Sequence, residues 1–115
     1  MSPPICFLCH EPSERFVTRQ SNRKRNAGRP YYKCRPCNKF LCFVDERGVN
    51  PNHPWCHCRR PSRLQVSGPE KSIPRSLHFV CRTGTCDYFS WQHKSGEPVT
   101  VTDDVVGMMA NLAIV

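Results

Sequence analysis

Apolar residues in this chain come in short bursts. RFVT at 15–18, YYKC at 31–34, KFLCFV at 39–44, LQVS at 64–67, LHFVC at 77–81 and DYFSW at 87–91 are brief runs rich in aromatic and β-branched side chains. Polar or Gly/Pro stretches separate them, and runs of this length and composition predict strands joined in small antiparallel hairpins. No helical repeat occurs between residues 1 and 96. The tail differs: from Thr102, TDDVVGMMANLAIV sets Val105, Met108, Met109 and Leu112 on one helical face, with Thr102 as N-cap and Asp103 and Asp104 in the first turn. One short C-terminal helix is predicted. Its stripe has three open uses: packing on the nearest strands as core, docking a protein partner through residues 103–115, or fraying, since Gly107 and the short length weaken it.

Cysteine spacing organises these strands. The nine cysteines split around a proline-rich joint, GVNPNHPW at 48–55, into two sets. The first is Cys6, Cys9, Cys34 and Cys37, two CxxC pairs; the second is Cys56, Cys58, Cys81 and Cys86, with CxC and Cx4C spacing. An aromatic stands two residues before the third cysteine of each set, Tyr32 and Phe79, and another three residues after the fourth, Phe40 and Phe89, as in an internal repeat. Zinc takes four thiolates in a tetrahedron, and turns carrying paired cysteines supply two each. The expected fold is therefore a small metal-stabilised β protein: two tandem zinc ribbons at 1–47 and 56–96, the joint at 48–55, and an apolar tail at 97–115. Two structural Zn2+ ions are the implied cofactors. In the second set His53 or His57 is an alternative to one sulfur. Cys42, the odd thiol, sits in an apolar run and reads as a small buried hydrophobe rather than a ligand.

Size and composition limit the function. With 115 residues the chain holds one modest core or two very small ones, which leaves little room for a large catalytic cleft. Four thiolates close a tetrahedron and leave no position for water or substrate, so the metals are expected to be structural. The CRPC turn lacks the HxE partner of a deaminase zinc arm and the βαβ setting of a redox motif. No enzyme activity and no small-molecule substrate are expected. No apolar run reaches the roughly 18 residues of a membrane span, and the N-terminus has no signal-peptide pattern. A reducing compartment, nuclear or cytoplasmic, is expected, with SNRKR as a candidate nuclear import signal.

Charge then points to a partner. The formal charge is +8, which two anionic zinc–thiolate sites would lower to about +4. The surplus is local: residues 15–39 hold Arg15, Arg19, Arg23, Lys24, Arg25, Arg29, Lys33, Arg35 and Lys39 and no acid. Cations interleaved with rings suit a single-stranded nucleic acid, whose phosphates follow the charges while its bases stack. Arg25, Arg29, Lys33, Arg35 and Lys39 are the candidate phosphate contacts, and Tyr31, Tyr32 and Trp91 the candidate stackers. Two other uses stay open. The cations neutralise the thiolates or simply solvate the surface, and Phe40, Phe79, Phe89 and Trp91 form the core itself.

Several segments together resemble the GRF-type zinc finger. NAGRPYYKC is similar to that family's N-x-G-R-x-F-x-x-C segment, with Gly28, Arg29 and Tyr32 in the matching places; the second half has CHC, GPEK and CDYFSW, similar to the family's C-x-F-F-x-W ending. The likeness covers residues 5 to about 92 and extends to small GRF-like zinc ribbon proteins of fungal type. Cys42 stands where the family has tryptophan, and in SIPRSLHF only Arg75 approximates the signature arginine. The family accompanies DNA repair enzymes and topoisomerases and binds single-stranded nucleic acid; the resemblance implies such a role here, with a protein-interaction adaptor as the alternative.

Overall fold

The structure, a computed structural model, describes residues 3–20, 25–68 and 70–115. Arg23 and Lys24 of the basic strip, most of SNRKR, and Pro69 of GPEK lie outside the described residues. Each predicted strand run forms a strand: β1 Glu14–Val17, β2 Pro30–Cys34, β3 Lys39–Phe43, β4 Arg63–Val66, β5 Leu77–Val80 and β6 Phe89–Trp91. β1-β2-β3 and β4-β5-β6 are two antiparallel three-stranded sheets of the same order. A further hairpin pairs β7 His93–Lys94 with β8 Glu97–Pro98. Strands of two residues around a Gly turn carry too little alternation to be read from sequence.

A bulge decides which face of the first sheet is aromatic. Tyr31 pairs with Phe43 and Tyr32 with Cys42, but Lys33 pairs with Phe40, so β3 carries one extra residue opposite the Tyr32–Lys33 step. Leu41 and Cys42 are consequently both buried, although they are consecutive. Phe40 and Phe43, three apart, both end on the outer side, which regular alternation forbids. The inner side, Tyr32, Leu41 and Cys42 with Cys6 and Cys34, is the first core. Cys42 is the small hydrophobe expected, and burial pushes its thiol up to about 11.

The second core is shared with the tail. Leu64 and Leu77 pack with Val115, and around them lie Val66, Phe79, Val99, Val101, Met109 and Ala110. Helix α1 (Asp103–Asn111) begins at Thr102, whose Oγ1 accepts from Val105 N at 3.4 Å. Its inward face is not the predicted one. Val106 is 2% exposed, whereas Val105, Met108 and Leu112 are 38%, 64% and 71% exposed. Of the predicted stripe only Met109 packs. The doublets Val105–Val106 and Met108–Met109 give the helix two overlapping apolar arcs, and packing of Met109 and Ala110 on the Leu64–Leu77–Val115 cluster selects the arc on which Val106 is also buried.

The ribbons are fastened to each other. Arg63 on β4 has a buried side chain that donates to Asp45 Oδ1 at 3.0 Å and to the carbonyls of Phe43, Asp45 and Arg47. Asp45 also accepts from Arg29 at 2.7 and 2.8 Å. Gly84, in the Cys81–Cys86 turn, has φ +68 and touches Leu41 of the first sheet so closely that a Cβ would overlap the Leu41 carbonyl. The joint is packed as well: Gly48 donates to the Ala113 carbonyl and accepts from Leu64 N, and His53 Nδ1 lies 2.9 Å from the Ser62 carbonyl.

Candidate metal centres and nucleic-acid interface

Both cysteine sets close. In each, the four Sγ atoms lie within 4.8 Å of one another, and in each the first member of a pair is buried and the second half-buried. The Sγ–Sγ separations are 3.4 Å for Cys9–Cys34 and 4.0 Å for Cys58–Cys81. A tetrahedron with Zn–S bonds of about 2.3 Å has edges of about 3.8 Å, so the donor set and its spacing fit zinc. Each turn is closed by one residue in the left-handed region: His10, Asn38, Arg59 and Gly84. Neither His53 nor His57 belongs to the second cluster. His53 packs its ring on Phe79, and His57 faces Tyr88 and Asp87.

The thiols are prepared unequally for metal. Backbone amides of Cys9 and Leu8 lower Cys6 to about 7. Burial opposes ionisation of Cys81, but the Thr83 hydroxyl and the amides of Thr83 and Thr85 outweigh it and bring that thiol to about 5. Cys37, through its bond to Cys9 and then burial, and Cys86, chiefly through burial, are pushed up to about 12. Four sulfurs this close cannot all ionise against one another unless a cation sits among them. The Thr83 and Thr85 hydroxyls, at 3.4 and 3.8 Å from Cys81 Sγ, were not foreseen from sequence, though two threonines inside CRTGTC were the available signal.

Residues 3–47 match the family described as the GRF-like zinc ribbon domain. The first module is a GRF-like zinc ribbon. The second four-cysteine ribbon lies outside the matched residues and repeats its strand order, its burial pattern and its left-handed turn residues. No curated protein and no solved structure matches the chain. Among the described residues no helix is long and apolar enough to cross a membrane.

The predicted contact residues of the GRF-like ribbon divide sharply. Arg29 and Tyr32 are corrections: they are 6% and 7% exposed. Arg29 forms a two-point ion pair with Asp45, donates to Asn26 Oδ1 at 2.9 Å and stacks over Phe43 at 3.6 Å, so its guanidinium is occupied. Tyr32 belongs to the first core. Sequence alone could not tell a surface arginine from a buried one, because its partner Asp45 lies 16 residues away. Arg75, the approximate counterpart in the second half, likewise holds an acid, Asp103, at 2.6 Å.

The other candidates stay accessible. Tyr31 is half-buried in a ring ladder: Phe16 to Tyr31 at 5.7 Å, Tyr31 to Phe40 at 5.7 Å and Phe40 to Phe43 at 4.9 Å. A groove of about 850 Å³ runs along this ladder, with Arg19 and Lys33 in its lining. Phe16, Phe40 and Phe43 are additions to the predicted stackers; Phe40, read from sequence as possible core, is 41% exposed, and period-two alternation from Tyr31 through its neighbour strand marks Phe16. Arg35 is exposed and pairs with Glu14 at 3.3 Å, a contact that water screens. Lys39 lies 5.3 Å over the Phe7 ring. Arg25, exposed, rests its guanidinium against Gly107 of α1. Trp91 sits on the outer face of the second sheet, edge-on to Phe89 at 4.9 Å and His78 at 6.1 Å.

Proposed function

We propose that this chain is a non-catalytic, zinc-stabilised module that binds single-stranded nucleic acid on the outer face of its first sheet. The observation that carries the reading is the Phe16–Tyr31–Phe40–Phe43 ladder lying in one groove with Arg19 and Lys33. Rings offered side by side stack unpaired bases, and flanking cations follow the phosphates. A duplex, whose bases are already stacked on one another, cannot use the ladder. Both metal sites are closed by four sulfurs, which supports a structural rather than catalytic metal.

Titration of labelled single- and double-stranded oligonucleotides at several salt concentrations tests this. Single strands are expected to bind more tightly, with log affinity falling against log salt at a slope of about −2 to −3 for three or four phosphate contacts. Lys33→Ala with Arg35→Ala should weaken binding at unchanged zinc content. Equal affinity for duplex, or no binding at low salt, rejects the reading.

One observation favours a protein-interaction adaptor instead: Val105, Met108 and Leu112 stand exposed on α1. Removing residues 103–115 cannot test it cleanly, because Met109, Ala110 and Val115 complete the second core and Val106 is itself buried. Met108→Glu with Leu112→Glu changes only the outer arc. Loss of a co-purifying protein with nucleic-acid affinity intact would put the adaptor first.

A further inference from the structure

The first sheet's aromatic ladder does not stop at the edge of its ribbon. Phe40, 41% exposed, lines the ladder groove and also a second cleft of about 270 Å³ whose other wall belongs to the second ribbon. Across that cleft stands Phe89, 49% exposed, with Lys39 and Gln65 between the ribbons. From Phe89 the rings continue on the outer face of the second sheet: His78 is stacked on Phe89 at 5.1 Å and Trp91 meets it edge-on at 4.9 Å. The relative placement of the two ribbons is held by the Arg63–Asp45 ion pair and by Gly84 against Leu41. A fixed seam makes two short platforms into one long one.

We infer that both ribbons form a single composite track, along which one strand of nucleic acid passes from the Phe16–Tyr31–Phe40 ladder across Lys39 to Phe89 and Trp91. This rests on the proposed function and extends it to the second ribbon. Charge complementarity identifies the occupant, because Arg19, Lys33 and Lys39 flank the rings; the seam's lining holds Lys39 and Gln65 together with one carboxylate, Asp87, which faces His57 at 3.6 Å. The molecule's longest dimension is 39 Å, so a track on its surface takes a stacked strand of at most about 12 nucleotides at about 3.4 Å each. About five nucleotides, at the same rise, reach along one sheet only.

Oligothymidylates of about 5 and about 12 nucleotides, titrated against the full zinc-loaded chain, separate the possibilities. Phe40→Ala is expected to weaken both. Phe89→Ala should weaken the longer oligonucleotide by about 5-fold or more, the loss of one base stack, and leave the shorter one unchanged. Phe89→Tyr, which keeps a ring, should restore binding of the longer one, and circular dichroism with zinc analysis confirms that each variant is folded. If Phe89→Ala binds the longer oligonucleotide as the parent chain does while Phe40→Ala is weakened, the track ends at the first ribbon and only this inference falls. If neither oligonucleotide binds the parent chain, the proposed function itself falls, and an apolar protein partner becomes the occupant to seek.

Discussion

Replacing Asp45 by Asn tests what holds the two ribbons in register. Asp45 is the only carboxylate among the described ionic partners of Arg29 and Arg63, whose side chains are 6% and 3% exposed. Against the cost of burial, the hydrogen bonds of Arg29 and then the charges of Arg29 and Arg63 hold the Asp45 carboxyl below its ordinary value. A carboxyl lowered in this way stabilises the fold fully at pH 7 and loses that contribution only as pH falls below about 3.9 toward its folded value. Removing one member of a buried ion pair costs about 3–5 kcal/mol, because the partner charge stays buried. Asp45 is 24% exposed and Arg63 keeps three carbonyl acceptors, so the lower end, about 3 kcal/mol, is expected. Against a total stability of about 5–15 kcal/mol that loss is large. With a urea slope of about 1–3 kcal/mol per molar, the denaturation midpoint should drop by about 1–3 M at pH 7 in excess zinc. Arg63→Met and the double variant complete a cycle in which the double variant costs less than the two singles added. A shift below about 0.5 kcal/mol for Asp45→Asn, or strict additivity, would refute the clamp.

Three other outcomes follow from the same contacts. Metal analysis should return two zinc per chain both for the parent and for Cys42→Ser, and chelation should unfold the chain, since structural zinc supplies about 10–16 kcal/mol in small modules; one zinc in the parent would remove a site. Gly84→Ala forces a Cβ into the Leu41 carbonyl at a positive φ, and is expected to lower the urea midpoint by about 1 M or more through a cost of about 2 kcal/mol. His78 is held below its ordinary value, by burial first and by the charge of Lys71. Below about pH 6.5 the unfolded chain therefore takes up that proton before the folded one, and stability falls. Urea midpoints between about pH 5.5 and 8 should show a steeper acid decline for the parent than for His78→Gln, and parallel curves would contradict this.

Local chemistry determined much of this protein. The cysteine pairs announce both sites because thiolate geometry on tight turns is a short-range property, and the six strand runs are legible because β-branched and aromatic residues concentrate between Gly/Pro breaks. The cap at Thr102 is likewise local. What sequence could not decide is which side of each element faces inward. Helix α1 carries two apolar arcs, and only contact with Leu64 and Leu77 chose between them. The bulge in β3 turned Phe40 and Phe43 to one face and buried Leu41 beside Cys42, a shift of register that no periodicity contains. Arg29 looked like a free cation of a basic strip until Asp45, distant in sequence, neutralised it in the interior. Burying charge or rings depends on partners brought together by the fold. The basic strip thus yields Arg29 and Tyr32 to the interior and leaves Lys33, Arg35 and Lys39 accessible to solvent.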